Sequence, residues 1–84
     1  MNTKETLQEK IAWLSRKIDS SQYKYNTGHK SRQALVRTED IARYRTEIQE
    51  LIQQASGDDA TQLYNLYYQA SALLLCLQLR CTNP

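Results

Sequence analysis

Turn-forming residues are scarce in this sequence. Two glycines and one proline, Pro84 at the end of the chain, occur among the 84 residues. Because a sheet protein needs such residues between its strands, their scarcity disfavours a β fold. Leucine, glutamine, alanine, lysine, arginine and glutamate are common instead, and their side chains favour helices. A chain this short buries only about 60–65% of its unfolded surface. The sequence therefore predicts one all-α domain, residues 1–84, with a thin core.

Residue sets typical of catalysis and metal binding are also missing. His29 is the only histidine, and no nucleophile with an acid lies near it in the sequence. Cys76 and Cys81 are five residues apart, so they point in different directions on a helix and match no zinc or redox spacing. No glycine-rich phosphate loop is present. We therefore predict a protein that is not an enzyme and that uses no cofactor and no metal ion.

The first ten residues, Met1 to Lys10, are polar. They lack the apolar core of a secretory signal peptide. We therefore expect a cytoplasmic protein, in which both cysteines remain free thiols.

Apolar residues recur three and four positions apart, which predicts helices at about 3–27, 38–55 and 59–80. Thr38 is the expected N-cap of the second helix, Asp58 or Asp59 that of the third, and Gly28 the stop of the first. Residues 30–37 fit either a linker or an early helical turn. The helices would form an antiparallel hairpin or a three-helix arrangement. The expected core stripes are Leu7, Ile11, Leu14, Ile18 and Tyr25 in the first helix and Ile41, Tyr44, Ile48, Leu51, Ile52 and Ala55 in the second.

The third predicted helix has two apolar stripes on opposite sides. One is an ordinary core stripe of Leu63, Leu66, Tyr67, Ala70, Leu73, Leu74 and Leu77. The other consists of Tyr64, Tyr68, Ala72, Leu75 and Leu79. Fully burying a leucine is worth about 1.5–3 kcal/mol, so we expect this second stripe to be covered. Either a partner helix or a second copy of the chain lies on it, or the first two helices sandwich the third.

A membrane span is a further alternative, because no charged residue lies between Asp59 and Arg80. The segment is long enough to cross a bilayer. However, Gln62, Asn65 and Gln69 would then lie in lipid without compensation. Membrane insertion is therefore disfavoured.

Trp13 lies about 130° around its helix from the centre of the core stripe. Tryptophan outside the core stripe is often an anchor at an interface. The alternative is that its ring folds over the end of a neighbouring helix of the same chain. Trp13 is thus a candidate partner-binding residue, together with the second stripe of the third helix.

A basic segment extends from Lys10 to Arg37, with seven lysines and arginines against the single acid Asp19. Trp13, Tyr23 and other aromatic residues interrupt it, a composition found in nucleic-acid-binding proteins. The basic residues are scattered around the helix, without helix-turn-helix spacing. A solvated basic face or an acidic protein partner explains them as well, so a nucleic-acid-binding accessory protein is the second hypothesis.

The stretch from Tyr64 to Cys76, YNLYYQASALLLC, resembles the C-terminal helix of the small cochaperones of bacterial type III secretion. These proteins help to keep needle subunits soluble before export. The similarity covers Tyr67, Tyr68 and the SALLL run from Ser71 to Leu75, together with chain length and helix order. The resemblance implies a helical hairpin that pairs with a second cochaperone, and the two together hold the aggregation-prone needle subunit.

Overall fold

The computed structural model of the protein describes residues 3–27 and 36–82, and it has three α-helices there. They are α1 (Thr3–Thr27), α2 (Thr38–Ile52) and α3 (Gly57–Thr82). The all-α prediction is confirmed. The limits of α1 agree with the predicted 3–27. In contrast, α2 ends at Ile52 instead of residue 55, and α3 is two residues longer at each end than the predicted 59–80.

The helices run up, down and up. Trp13 on α1 meets Tyr44 on α2, while residues near the start of α1 lie beside the end of α2. Gln69 on α3 donates a hydrogen bond to Asp19 on α1 at 3.1 Å, so α1 and α3 run parallel. Of the two predicted arrangements, the three-helix one is therefore correct. The molecule is elongated, 47 × 18 × 17 Å, and its radius of gyration of 13.8 Å exceeds the roughly 12 Å of a compact domain of this length.

The core fills the space between the three helices. Each helix contributes apolar side chains at three- and four-residue spacing, the period that keeps them on one face. The predicted stripes are confirmed, with Leu7, Tyr25, Ile52, Ala55 and Tyr67 only partly buried at the edges. The buried residues are Ile11, Leu14, Ile18, Val36, Ile41, Tyr44, Ile48, Leu51, Leu63, Leu66, Ala70, Leu73, Leu74 and Leu77.

The start of α2 differs from the prediction. Arg37, not Thr38, occupies the N-cap position, with extended backbone and no side-chain cap. The Arg37 carbonyl accepts hydrogen bonds from the backbone N–H groups of Asp40 and Ile41 at 3.1 and 3.2 Å. Glu39 and Asp40 lie in the first turn, where their charge stabilises the exposed N–H groups. The helix start is thus stabilised by the helix dipole and not by a threonine cap.

The connection between α2 and α3 is short and hydrogen-bonded. The N–H groups of Gln54 and Ala55 donate to carbonyls in the last turn of α2 at 3.0 and 3.3 Å. Gly57 has a φ of 61°, which a residue with a side chain rarely adopts. The chain therefore reverses at Gly57, and Asp58 and Asp59 lie within the first turn of α3 instead of preceding it as caps.

Residues 30–37, between α1 and α2, are predicted to be either a linker or an early helical turn. Residues 28–35, including Gly28, lie outside the described residues. Val36 and Arg37 precede α2 and are not helical. Val36 is nevertheless buried, so it closes the core at the start of α2.

Candidate partner-binding surfaces

The second apolar stripe of α3 is exposed in the single chain. We call Tyr64, Tyr68, Ala72, Leu75 and Leu79 the outer face. Its tyrosines and leucines are between 48% and 66% exposed, and Ala72 is exposed as well. Along α3 the outer face spans about 22 Å, since it covers 15 steps of about 1.5 Å. Solvent therefore contacts an uncharged, largely apolar stripe four turns long.

Both other helices pack against the opposite side of α3. Leu63, Ala70 and Leu77 on that side are fully buried. The hypothesis that α1 and α2 sandwich α3 and cover both stripes is therefore wrong for the single chain. The reason is geometric, because two helices that also contact each other must lie on the same side of the third.

The aromatic end of the outer face is held in place by α2. Gln49 Nε2 donates a hydrogen bond to the Tyr67 hydroxyl at 3.5 Å, and the Arg45 guanidinium lies 5.3 Å from the Tyr67 ring centroid. The Tyr68 ring then packs edge-on against Tyr67, with centroids 5.9 Å apart and planes at 75°. Such edge-to-face pairs are favourable. Tyr68 is thus exposed and contacts a ring that α2 contacts in turn.

A groove adjoins the outer face where α2 and α3 meet. It has a volume of about 330 Å³, and Tyr64 belongs to both the groove and the outer face. Ile52 is partly buried and gives the groove an apolar floor, while glutamines of α2 form its rim. The lining residues are Gln49, Ile52, Gln53, Tyr64 and Tyr67. A segment lying on the outer face can therefore extend across to α2 without meeting a charge from the groove lining.

The other edge of the outer face is polar. Asn65 is exposed there, and Gln69 is bonded to Asp19 on α1. Cys76 is exposed beside Ala72 and Leu75 and carries a free thiol. The apolar surface thus continues toward α2 and ends toward α1.

The structure does not bring Trp13 to the outer face. Its ring lies between α1 and α2 and contacts the Tyr44 ring edge-on, with centroids 5.7 Å apart and planes at 84°. Lys17 Nζ lies 5.7 Å from the centroid of the indole. Tyr44 is near the middle of α2, so Trp13 does not cover a helix end as the alternative proposed. Trp13 and the outer face lie on different sides of the bundle, and one short partner helix cannot contact both.

Sequence reasoning missed the surroundings of Trp13. A groove of about 570 Å³ extends from its ring toward the start of α1, between α1 and α2. We call it the Trp13 groove. The three-residue spacing of Glu47 and Glu50 puts them on one side of α2 and was the only sequence signal for an acidic groove. It did not reveal which helix that side would face. The groove is lined by Thr6, Glu9, Lys10, Trp13, Leu14, Glu47, Glu50 and Leu51.

The basic segment occupies two sides of α1 in its described part, since Lys10, Lys17 and Lys24 recur every seven residues and lie within about 40° of one another. Lys10 lines the Trp13 groove together with three glutamates. Arg16 lies about 100° around α1 from Lys17, on a different side of the helix. The carboxylates beside Lys10 repel phosphate groups, so this end of the lysine row is unfavourable for nucleic acid.

Neither a metal cluster nor a membrane span is found in residues 3–27 and 36–82. No group of three or more histidine, cysteine, aspartate or glutamate side chains could hold a metal ion in these ranges. None of the three helices combines the length and hydropathy needed to cross a bilayer.

Comparison of the chain with protein-family models, curated proteins and solved structures gave no match.

Proposed function

We propose that this protein is a small non-enzymatic adaptor or chaperone that holds a partner protein on the outer face of α3. The observation that carries the proposal is the exposure of Tyr64, Tyr68, Leu75 and Leu79 on a helix whose opposite side is fully buried. Contiguous exposed apolar surface on a small protein marks an interaction site. The partner-binding residues of this proposal are Tyr64, Tyr68, Ala72, Leu75 and Leu79.

The occupant that fits this surface is an amphipathic helix with an uncharged apolar stripe. The outer face has the three- and four-residue spacing that allows another helix to pack along it. No side chain between Asp59 and Arg80 carries a charge that would have to pair across the contact. Laying an amphipathic helix on an apolar surface is a common mode of peptide recognition.

The free energy gained by covering the outer face can be compared with the cost of association. Four large side chains that are about half exposed contribute roughly 3–6 kcal/mol when covered. Association itself costs about 4–15 kcal/mol. The same contact buries the partner's own apolar stripe and gains a similar amount, so the total is comparable with this cost, and entry into the groove between Tyr64 and Ile52 adds to it.

The resemblance to type III secretion cochaperones extends the proposal to a specific role. Under it, the protein acts in the cytoplasm, the partner is a second cochaperone, and the pair keeps a needle subunit from aggregating. The residues that support this role are those quoted above from Tyr64 to Cys76.

The test uses Leu75→Glu, which places a charge in the middle of the outer face. Ser20→Glu is the matched control, because Ser20 is exposed on α1 and outside both surfaces. The three proteins are compared by static light scattering over a range of concentrations and as bait in pull-downs from the native cell.

We expect the molar mass of the wild-type protein and of Ser20→Glu to rise with concentration in the absence of partner. Leu75→Glu should remain monomeric and lose the captured partner. The cochaperone role predicts that mass spectrometry identifies a needle subunit or a second helical cochaperone in the captured material. A wild-type protein that stays monomeric and captures the same proteins as Leu75→Glu contradicts the proposal.

A further inference from the structure

The Trp13 groove has an apolar floor and an acidic rim. Leu14 and Leu51 are buried at its base, while the Trp13 ring is 40% exposed. Glu9 comes from α1, and Glu47 and Glu50 come from α2. These carboxylates are brought together because α1 and α2 run antiparallel. The groove can therefore contact both an apolar stem and a positively charged end of one ligand.

The rim of the Trp13 groove carries more negative than positive charge. Lys10 is the only basic side chain among the lining residues, against three carboxylates. No ion pair within the described residues involves any of these four groups. Like charges three or four residues apart on a helix, such as Glu47 and Glu50, destabilise it by a few tenths of a kcal/mol. A cation in the groove would relieve this repulsion.

The indole ring provides the second contact for a cation. Lys17 lies one turn beyond Trp13 along α1, whereas the groove extends toward the start of the helix. Tyr44 and Lys17 both contact the indole, yet its ring is still 40% exposed. The part of Trp13 that lines the groove is thus available to a planar cation, and indole is the aromatic group that attracts cations most strongly.

We propose that the Trp13 groove binds an arginine side chain, flanked by apolar residues, from a segment of a partner protein. A guanidinium group is planar, stacks on aromatic rings and donates to two carboxylates at once. Its aliphatic stem matches the floor formed by Leu14 and Leu51. This site lies on a different side of the bundle from the outer face and does not depend on the function proposed for that face.

Fluorescence can test this site directly, because Trp13 is the only tryptophan of the chain. The probe is the capped tripeptide leucyl-arginyl-leucine, titrated into the full-length protein at low ionic strength. The same tripeptide with citrulline has nearly the same shape without the charge, and the tripeptide with lysine has the charge without the planar group. Glu47→Gln/Glu50→Gln changes the rim, and Glu39→Gln on the same helix is the control outside the groove.

We expect a saturable change in Trp13 emission with the arginine peptide. The citrulline and lysine peptides should bind at least about tenfold more weakly. The double variant should weaken binding of the arginine peptide by a similar factor, and Glu39→Gln should change it less than about twofold.

Three results would overturn the assignment. Binding of the citrulline or lysine peptide as tight as that of the arginine peptide would remove the case for a guanidinium. Unchanged binding by Glu47→Gln/Glu50→Gln would place the peptide elsewhere. A change in Trp13 emission with protein concentration alone would assign the groove to a second copy of this chain. If the double variant fails to fold, the citrulline comparison still decides.

Discussion

Leu75 and Leu77 are two residues apart on α3 but lie on opposite sides of it. Leu75 is 57% exposed on the outer face, whereas Leu77 is fully buried in the core. Replacing each by alanine removes the same atoms from the same helix, so helix propensity changes equally. The two variants therefore isolate the effect of burial.

The expected losses follow from the carbons removed. A leucine-to-alanine change deletes three carbons, each worth about 0.8 kcal/mol when buried, which gives roughly 2.4 kcal/mol for complete burial. Leu77→Ala also leaves a cavity, so we expect a loss of about 3–5 kcal/mol. A little under half of Leu75 is buried, so Leu75→Ala should lose about 1 kcal/mol. At about 4–8 °C per kcal/mol, Leu77→Ala should lower Tm by more than about 12 °C and Leu75→Ala by less than about 8 °C.

The free energy of unfolding can be measured by urea titration followed by far-UV circular dichroism. A low protein concentration keeps self-association from adding to the stability of the wild-type protein. Light scattering at high protein concentration without urea should detect loss of self-association in Leu75→Ala. If both variants lost the same stability at low concentration, Leu75 would be covered within the single chain, and the outer face would not exist as described.

Five further substitutions, at four positions of α3, test how this helix begins and packs. The Ser71 Oγ is buried without a hydrogen-bond partner. Ser71→Ala should therefore raise the free energy of unfolding, measured in urea, by about 0.5–2 kcal/mol. A lower free energy of unfolding would indicate that the hydroxyl is hydrogen-bonded. Gly57→Ala should lower the free energy of unfolding by about 1–2 kcal/mol. The loss comes from the positive φ alone, because a Cβ there would meet nothing within 4 Å. Gly57→Asn should lose less, because asparagine tolerates this backbone conformation better. Ala70 is fully buried between helices, so Ala70→Leu should lower the free energy by about 1–3 kcal/mol in thermal unfolding, whereas Ala72→Leu on the outer face should change it by less than about 0.5 kcal/mol.

The helices and their core sides were predictable because periodicity is a local property of the sequence. A residue such as Ile48 has apolar neighbours four positions before and three positions after it, and only one face of a helix gathers them. The second apolar stripe of α3, which contains Leu75, follows from the same reasoning, but its exposure does not. What the sequence left open was whether α1 and α2 lie on one side of α3 or on both.

Features that depend on which helices become neighbours were not predictable. Glu9 and Glu47 are far apart in the sequence, and only the antiparallel packing of α1 on α2 places them in one groove. The position of Trp13 depended on the same packing. The N-cap at Arg37 was missed for a different reason. Thr38 is the better capping residue, yet Arg37 occupies the N-cap position and the residue before it, Val36, is buried.

The elongated shape affects how the mass of the protein will appear in solution. Its long axis is more than twice either short axis. A rod diffuses more slowly than a sphere of equal mass, so a single copy would elute early in gel filtration, at an apparent mass above its own. Pairing side by side through α3 would add width without length and make the particle rounder. The apparent mass in gel filtration would then less than double on dimerisation. The decay of Trp13 emission anisotropy reports tumbling about each axis and would distinguish the monomer from the dimer.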